Sequence, residues 1–119
     1  MIRTLGLIMM TAALSAASPA SAAGALAVGH CGVDGYSYDS ATPEQAEETA
    51  LQNCGPGCRI VAAFQASCAA FAVDNSRSCG AEGWGRARVR EEAESIALSE
   101  CVNQGGTACA IQRWVCDGG

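Results

Sequence analysis

The fold of this chain is decided by two segments in which a helix-like stretch runs into a pair of cysteines. Residues 42–58 read TPEQAEETALQNCGPGC, and residues 90–109 read REEAESIALSECVNQGGTAC. Each segment has an acidic first turn, an alanine–leucine pair, a cysteine, glycines and a second cysteine, in the same order. The chain is therefore predicted to contain an internal duplication.

The first segment carries the stronger helix signals. Thr42 is placed as the N-cap, Pro43 occupies the first helical position, and Gln45 completes a capping box. In the second segment arginines precede the helix and no Ser, Thr or Asp cap is present, so its start is less defined. Glycines at 55–57 and 105–106 end the two predicted helices.

Working outward from the helices, each unit contains three apolar stretches typical of strands. The predicted strands are 24–28, 35–38 and 58–64 in the first unit and 69–73, 83–88 and 109–115 in the second. The predicted fold class is α+β, with β-β-α-β repeats at 24–68 and 69–116. A unit of about 48 residues buries too little apolar surface to fold alone. We therefore expect one pseudo-twofold domain, residues 23–119, with antiparallel sheet and two helices.

The first 22 residues have the pattern of a signal peptide. Arg3 precedes a short apolar run, and Ala20-Ser21-Ala22 forms a small-residue cleavage site. The apolar run is too short to span a bilayer of about 30 Å comfortably. We expect cleavage after Ala22, a secreted or periplasmic product, and no stable membrane anchor afterwards.

Composition excludes several classes of function. The formal net charge is −5, and the cations are seven arginines with no lysine. Nucleic-acid binding needs clustered cations that release counterions, so no nucleic-acid partner is expected. One histidine rules out a site built from several histidines.

The eight cysteines are predicted to form disulfides. An even number of cysteines in a small exported domain is typical of a disulfide framework. Cys54-Gly-Pro-Gly-Cys58 lacks the C-x-x-C spacing of a zinc knuckle or a thioredoxin site. We expect no metal and no cofactor.

The order of these motifs resembles the bacterial exported domain-of-unknown-function family 4189. The resemblance rests on Gly24-Ala-Leu-Ala-Val28, Gly35-Tyr-Ser-Tyr38, the helix and cysteine motifs, Gly83-Trp-Gly85 and the closing Trp114-Val-Cys116. It covers essentially all of the chain after the signal peptide. It implies a secreted or periplasmic bacterial α+β domain with no established activity. Cys31 and Cys79 look like additions to the cysteines usual in that family.

Eight cysteines allow 105 pairings, and the repeat favours some of them. A local bridge at the end of each helix is the simplest choice, which predicts Cys54–Cys58 and its copy Cys101–Cys109. Cys31 and Cys79 then form an added pair between the units, and Cys68 pairs with Cys116.

The aromatic residues have two interpretations. Phe64, Phe71 and Trp114 are predicted to fill the interface between sheet and helix. Tyr36, Tyr38 and Trp84 follow glycines beside polar loops, and partial exposure would make them a contact for a protein or glycan.

No catalytic residue is assigned. His30 is the one candidate base with a near-neutral pKa, and a Cys–His nucleophile pair would need Cys31 to be a free thiol. The helix glutamates are explained by solvation of the helix surface, and Asp34, Asp39 and Asp74 by polar turns. The leading interpretation is an acidic, disulfide-stabilised interaction or secreted effector-type module, which favours a basic protein or envelope component as partner. The alternative is a small envelope hydrolase or an inhibitor of one.

Export and oxidation are tested together by the intact mass of the secreted protein. We expect a chain that begins at Ala23 and gains no mass on alkylation until a reductant is added. Alkylation of two cysteines before reduction would contradict the disulfide framework. A peptide map that joins Cys31 to Cys68 would contradict the predicted pairing.

Overall fold

The computed structural model describes residues 6 and 22–118. The elements are β1 (Ala23–Val28), β2 (Asp34–Ser40), α1 (Pro43–Cys54), β3 (Arg59–Phe64), β4 (Cys68–Asp74), β5 (Glu82–Ala87), α2 (Arg90–Asn103) and β6 (Cys109–Cys116). A single 3-10 turn, His30–Gly32, connects β1 to β2. The predicted signal peptide lies outside the described residues except for Gly6 and Ala22. Within the described part of the chain, no helix has both the length and the apolar character needed to cross a membrane.

The strands form two antiparallel sheets of three strands each. The strand order is β2-β1-β3 in the first sheet and β5-β4-β6 in the second. Each central strand thus pairs with both other strands of its own half of the chain. The predicted α+β class is confirmed, and the antiparallel strands are divided between two sheets.

Each central strand is buried on both faces because its side chains alternate between two layers. In β1, Ala23, Ala25 and Ala27 contact Ala46 and Ala50 of α1. In β4, the corresponding small side chains Cys68, Ala70 and Ala72 contact Ala93, Ala97 and Cys101 of α2. The other faces of the two sheets meet each other. The order of layers is therefore helix, sheet, sheet, helix.

The large apolar side chains lie between the two sheets. Leu26, Val28 and Phe64 of the first sheet pack with Phe71 and Val115 of the second. The prediction that Phe64 and Phe71 fill the interface between sheet and helix is wrong in its location, because that interface holds mainly alanine and cysteine. The prediction of a buried Trp114 is also wrong. Trp114 is 44% exposed, and the guanidinium of Arg90 lies 3.8 Å from its ring centre.

Glycines let each helix approach its sheet more closely than a side chain would allow. A Cβ at Gly35 would overlap the backbone of Ala50 and Cys54 in α1. A Cβ at Gly83 would overlap the backbone of Ala97 and Cys101 in α2. Edge strands β2 and β5 thus carry glycine where the helix backbone crosses them.

The helix ends follow the sequence signals. Thr42 Oγ1 accepts the backbone N–H of Gln45 at 3.1 Å, so the predicted N-cap is confirmed. Gly55, at φ 101°, ends α1 in a conformation that glycine tolerates. Helix α2 begins at Arg90 after Val89, which supplies no side-chain cap. The predicted lack of a polar cap at this helix is therefore confirmed.

All eight cysteines are paired in four disulfides: Cys31–Cys79, Cys54–Cys58, Cys68–Cys116 and Cys101–Cys109. These are the same pairs as in the scheme drawn from the sequence. Cys31–Cys79 joins the two halves, whereas Cys68–Cys116 links register partners on neighbouring strands of one sheet. Four disulfides in a chain of this size suggest an oxidising, extracellular or periplasmic environment.

The glycine contacts predict large effects from small substitutions. Gly35→Ala and Gly83→Ala should each lower the free energy of unfolding by about 1–3 kcal/mol, because the added methyl pushes helix and sheet apart. Urea unfolding of the oxidised protein measures this. Gly80→Ala is the control, since its added Cβ would lie 3.2 Å from its nearest neighbours and away from a helix. Equal unfolding midpoints for Gly35→Ala and Gly80→Ala would contradict the interpretation.

Candidate functional site

The three aromatic residues predicted to form a contact do not come together. Tyr36 and Tyr38 lie on β2 at one edge of the first sheet. Trp84 lies on β5, an edge strand of the second sheet, which packs beside β3 rather than β2. Because β1 separates β2 from β3, the tyrosines and the tryptophan belong to opposite sides of the domain. The structure therefore has two aromatic surfaces.

The tyrosine surface combines one exposed ring with one supported ring. The ring centres of Tyr36 and Tyr38 are 6.3 Å apart, and their planes differ by 13°. Tyr38 is 57% exposed, whereas Tyr36 is partly buried. Both rings border a shallow cleft of about 460 Å³ that Thr49 and Asn53 of α1 also line.

An ion pair from β6 holds the tyrosine surface in place. The guanidinium of Arg113 lies 4.7 Å from the ring centre of Tyr36, and its Nε donates to Asp34 Oδ1 at 2.9 Å. Gln112 Nε2 donates to Asp34 Oδ2 and to the Gly32 carbonyl, both at 2.7 Å. The second half of the chain thus fixes the loop and strand that carry the tyrosines.

The surface around Trp84 is a larger cleft of about 820 Å³. The guanidinium of Arg59, on β3, lies 5.3 Å from the ring centre of Trp84. Arg77 and Arg86 also line this cleft, together with Glu82 and Glu100. Glu82 Oε1 accepts the backbone N–H of Gly32 at 2.9 Å, so this carboxylate supports the fold.

His30 lies beside a disulfide. In the described part of the chain, the one group of three potential ligand side chains with atoms within 4.8 Å of each other is His30, Cys31 and Cys79, all exposed. The two sulfurs are bonded to each other. They are therefore neither thiolate ligands nor nucleophiles in this oxidised form.

The helix glutamates that the sequence singled out lie on solvent-facing surfaces, and of the α2 glutamates Glu100 lines the Trp84 cleft together with Glu82. Glu44, Glu48, Glu91 and Glu92 are exposed. Glu94 pairs with Arg90 at 2.7 Å within α2. This distribution is that of a solvated helix surface, as the sequence predicted.

Asp74 is a structural carboxylate. It is 3% exposed, and its Oδ1 accepts the backbone N–H of Ser76 at 2.9 Å and the Ser76 hydroxyl at 2.6 Å. The backbone N–H groups of Thr107 and Ala108 also donate to this carboxylate. The hydrogen bonds from Ser76 hold the pKa of Asp74 at about 2. Asp74 ties the turn after β4 to the loop before β6.

Asp117 has the opposite environment. Its carboxylate is buried next to the backbone of Ala66 and has no hydrogen-bond partner among the described residues. Burial raises the pKa of Asp117, and the nearby Asp39 carboxylate acts in the same direction.

Sequence reasoning missed the arginines of both surfaces. Arg59, Arg77, Arg86 and Arg113 come from different segments, and they meet the aromatic rings only in the folded chain. A partial signal was present in Arg113, because a charged residue inside the apolar run 109–115 indicates a buried ion partner.

Comparisons with known proteins identify relatives of unknown function. The family model of the domain of unknown function DUF4189 matches residues 23–116. An uncharacterized protein of Mycobacterium tuberculosis is 34% identical over 95 residues, as is an uncharacterized protein of Mycobacterium bovis. The match covers 79% of this chain and 59% of each relative, so the chain spans less than two thirds of their length. No solved structure matches the chain.

The environment of Asp74 predicts a dependence of stability on pH. Its folded pKa of about 2 lies below the ordinary value of 3.8, so its contribution is complete above that value and is lost as pH falls toward 2. We expect the difference in free energy of unfolding between the native protein and Asp74→Asn to shrink over this range. Urea unfolding at several pH values measures it. In a Ser76→Ala background this pH-dependent change in the free energy of unfolding should be smaller, because the Ser76 hydroxyl no longer donates to Asp74. A difference that stays constant with pH would contradict this assignment.

Proposed function

The chain belongs to the DUF4189 family, and we propose that it acts as an exported interaction module rather than as an enzyme. In this proposal residues 1–22 are a cleaved signal peptide, and residues 23–119 act outside the cytoplasm as one domain. The two halves are related by a pseudo-twofold axis. The shared β-β-α-β order of strands and helix, the matching strand orders and the short disulfide after each helix support that relation.

The observation that carries the proposal is the exposed ring of Tyr38. Large exposed aromatic side chains are costly in water and are frequent centres of protein interfaces. Tyr38 is held on a strand, stacked on Tyr36, and Tyr36 is supported by Arg113 and Asp34. A partner would therefore meet a preorganised surface and lose little conformational entropy on binding it.

The charges near this surface favour a basic partner. Asp39 follows Tyr38 directly, and α1, which borders the tyrosine cleft, carries Glu44, Glu47 and Glu48. Opposite charges would mainly accelerate association, and added salt would screen them.

The hydrolase alternative receives less support. It needs an acid or base in a cleft with hydrogen-bonding capacity left for a substrate. In the two clefts Asp34 is occupied by Arg113 and Gln112, and Glu82 accepts the backbone N–H of Gly32. This leaves Glu100, on the exposed surface of α2, as a single carboxylate without a second one free to act with it.

Site-directed photo-crosslinking tests the proposed surface. A benzophenone amino acid in place of Tyr38 should capture one protein in cells that naturally export the chain. The matched control places the same group at Val102 of α2, an apolar residue that is 58% exposed. We expect capture from position 38 alone, and we expect Tyr38→Ala to weaken binding of the captured protein about tenfold.

Two results would contradict the proposal: equal capture from both positions, and no capture from either position. A captured protein whose association rate does not depend on salt would overturn the expectation of a basic partner.

A further inference from the structure

Only some of the arginines of this acidic protein form salt bridges within the described residues. Arg90 pairs with Glu94, and Arg113 pairs with Asp34. The other arginines of the described residues form no salt bridge with any described residue; they are Arg59, Arg77, Arg86 and Arg88. Three of these four line the cleft around Trp84. The cleft thus holds three arginines that form no salt bridge and two glutamates, a small excess of positive charge in a chain whose net charge is −5.

The cleft places these arginines beside the aromatic ring of Trp84. Arg59 reaches across from β3 to Trp84 on β5. Arg86 Nη1 donates to the Ala63 carbonyl at 2.7 Å, which fixes its guanidinium at the rim while other N–H groups remain available. The acids of the cleft are Glu82, bound to Gly32, and Glu100 on the exposed surface of α2.

The edge of β5 differs from the edge of β2 in the other half. In the first half Asn53 Nδ2 donates to the Tyr36 carbonyl at 3.1 Å and so covers the edge of β2. Asn53 directly precedes Cys54, and the residue that directly precedes Cys101 in α2 is Glu100. An ionised carboxylate has no proton to donate to the Trp84 carbonyl. No side chain of the described residues caps that carbonyl, and β5 is an edge strand.

We propose that an extended acidic peptide binds in this cleft as an additional strand on β5. Its backbone would hydrogen-bond along the free strand edge, as in other cases of strand addition. Its carboxylates would pair with Arg59, Arg77 and Arg86, whose planar guanidinium groups suit carboxylates. An apolar side chain of the peptide would pack against Trp84.

This site is separate from the tyrosine surface. It lies on the β3–β5 side of the domain, whereas Tyr36 and Tyr38 lie on the β2–β6 side. It also selects the opposite charge. The inference therefore stands whether or not the tyrosine surface binds a basic protein.

Binding is measured with a defined probe, a capped octapeptide of alternating valine and glutamate. The full oxidised chain carries Trp114→Phe, so that Trp84 is the only tryptophan left to report. We expect saturable change in its fluorescence, and about tenfold weaker binding of the same peptide with glutamine in place of glutamate.

Variants of the protein separate the cleft from general charge. Arg59→Gln combined with Arg77→Gln should weaken binding about tenfold or more. Arg88→Gln removes another exposed arginine, which does not line the cleft, and should leave binding unchanged. Equal binding of the two peptides, or an equal loss in Arg88→Gln, would overturn the proposal. Displacement of the peptide by inorganic phosphate at similar concentration would replace it with a simple anion site.

Glu100→Asn tests the strand edge itself. This change removes a negative charge from the cleft and installs the amide that caps β2 in the other half. If the peptide adds to β5, its binding should weaken about threefold or more, because the amide competes for the edge. A purely electrostatic site would bind the acidic peptide more tightly instead, and that result would overturn strand addition.

Discussion

Close approach between helix backbone and strand backbone sets the dimensions of this domain. Gly35 and Gly83 have no Cβ where α1 and α2 cross the edge strands, and the rest of both interfaces is mainly alanine and cysteine. On each side of the small core between the sheets, one sheet and one helix can then pack closely together. Larger side chains at these positions would separate the helices from their sheets and expose the central strands.

The stacking concentrates the large side chains in one place. Phe71 and Leu26 are fully buried between the sheets, and both halves of the chain contribute to this cluster. Either half alone would leave this face in water, so the two halves of the chain depend on a shared core. The disulfides complement this small core, since Cys31–Cys79 joins the halves at a loop that the core does not reach.

The same architecture separates two kinds of surface. Each sheet leaves two edge strands, and stacking the sheets places β2 beside β6 and β3 beside β5. On the first side Arg113 is neutralised by Asp34 beneath exposed Tyr38. On the second side Arg59 lies over Trp84 without a carboxylate partner among the described residues. The β2–β6 side and the β3–β5 side of the stacked sheets therefore differ in charge.

The sequence by itself determined the local structure. Short apolar stretches located the six strands, Thr42 and Pro43 located the start of α1, and the repeated order of the cysteines reduced the plausible disulfides to a small set. These features act over a few residues, so their physical causes are present in the order of the chain. Tertiary structure alone decided which layer covers each face of β1 and β4, because both faces are apolar. It also moved the phenylalanines to the space between the sheets and brought Arg59, Arg77 and Arg86 around Trp84. Those groups are distant along the chain, and only the stacking of two separate sheets sets the distances between them.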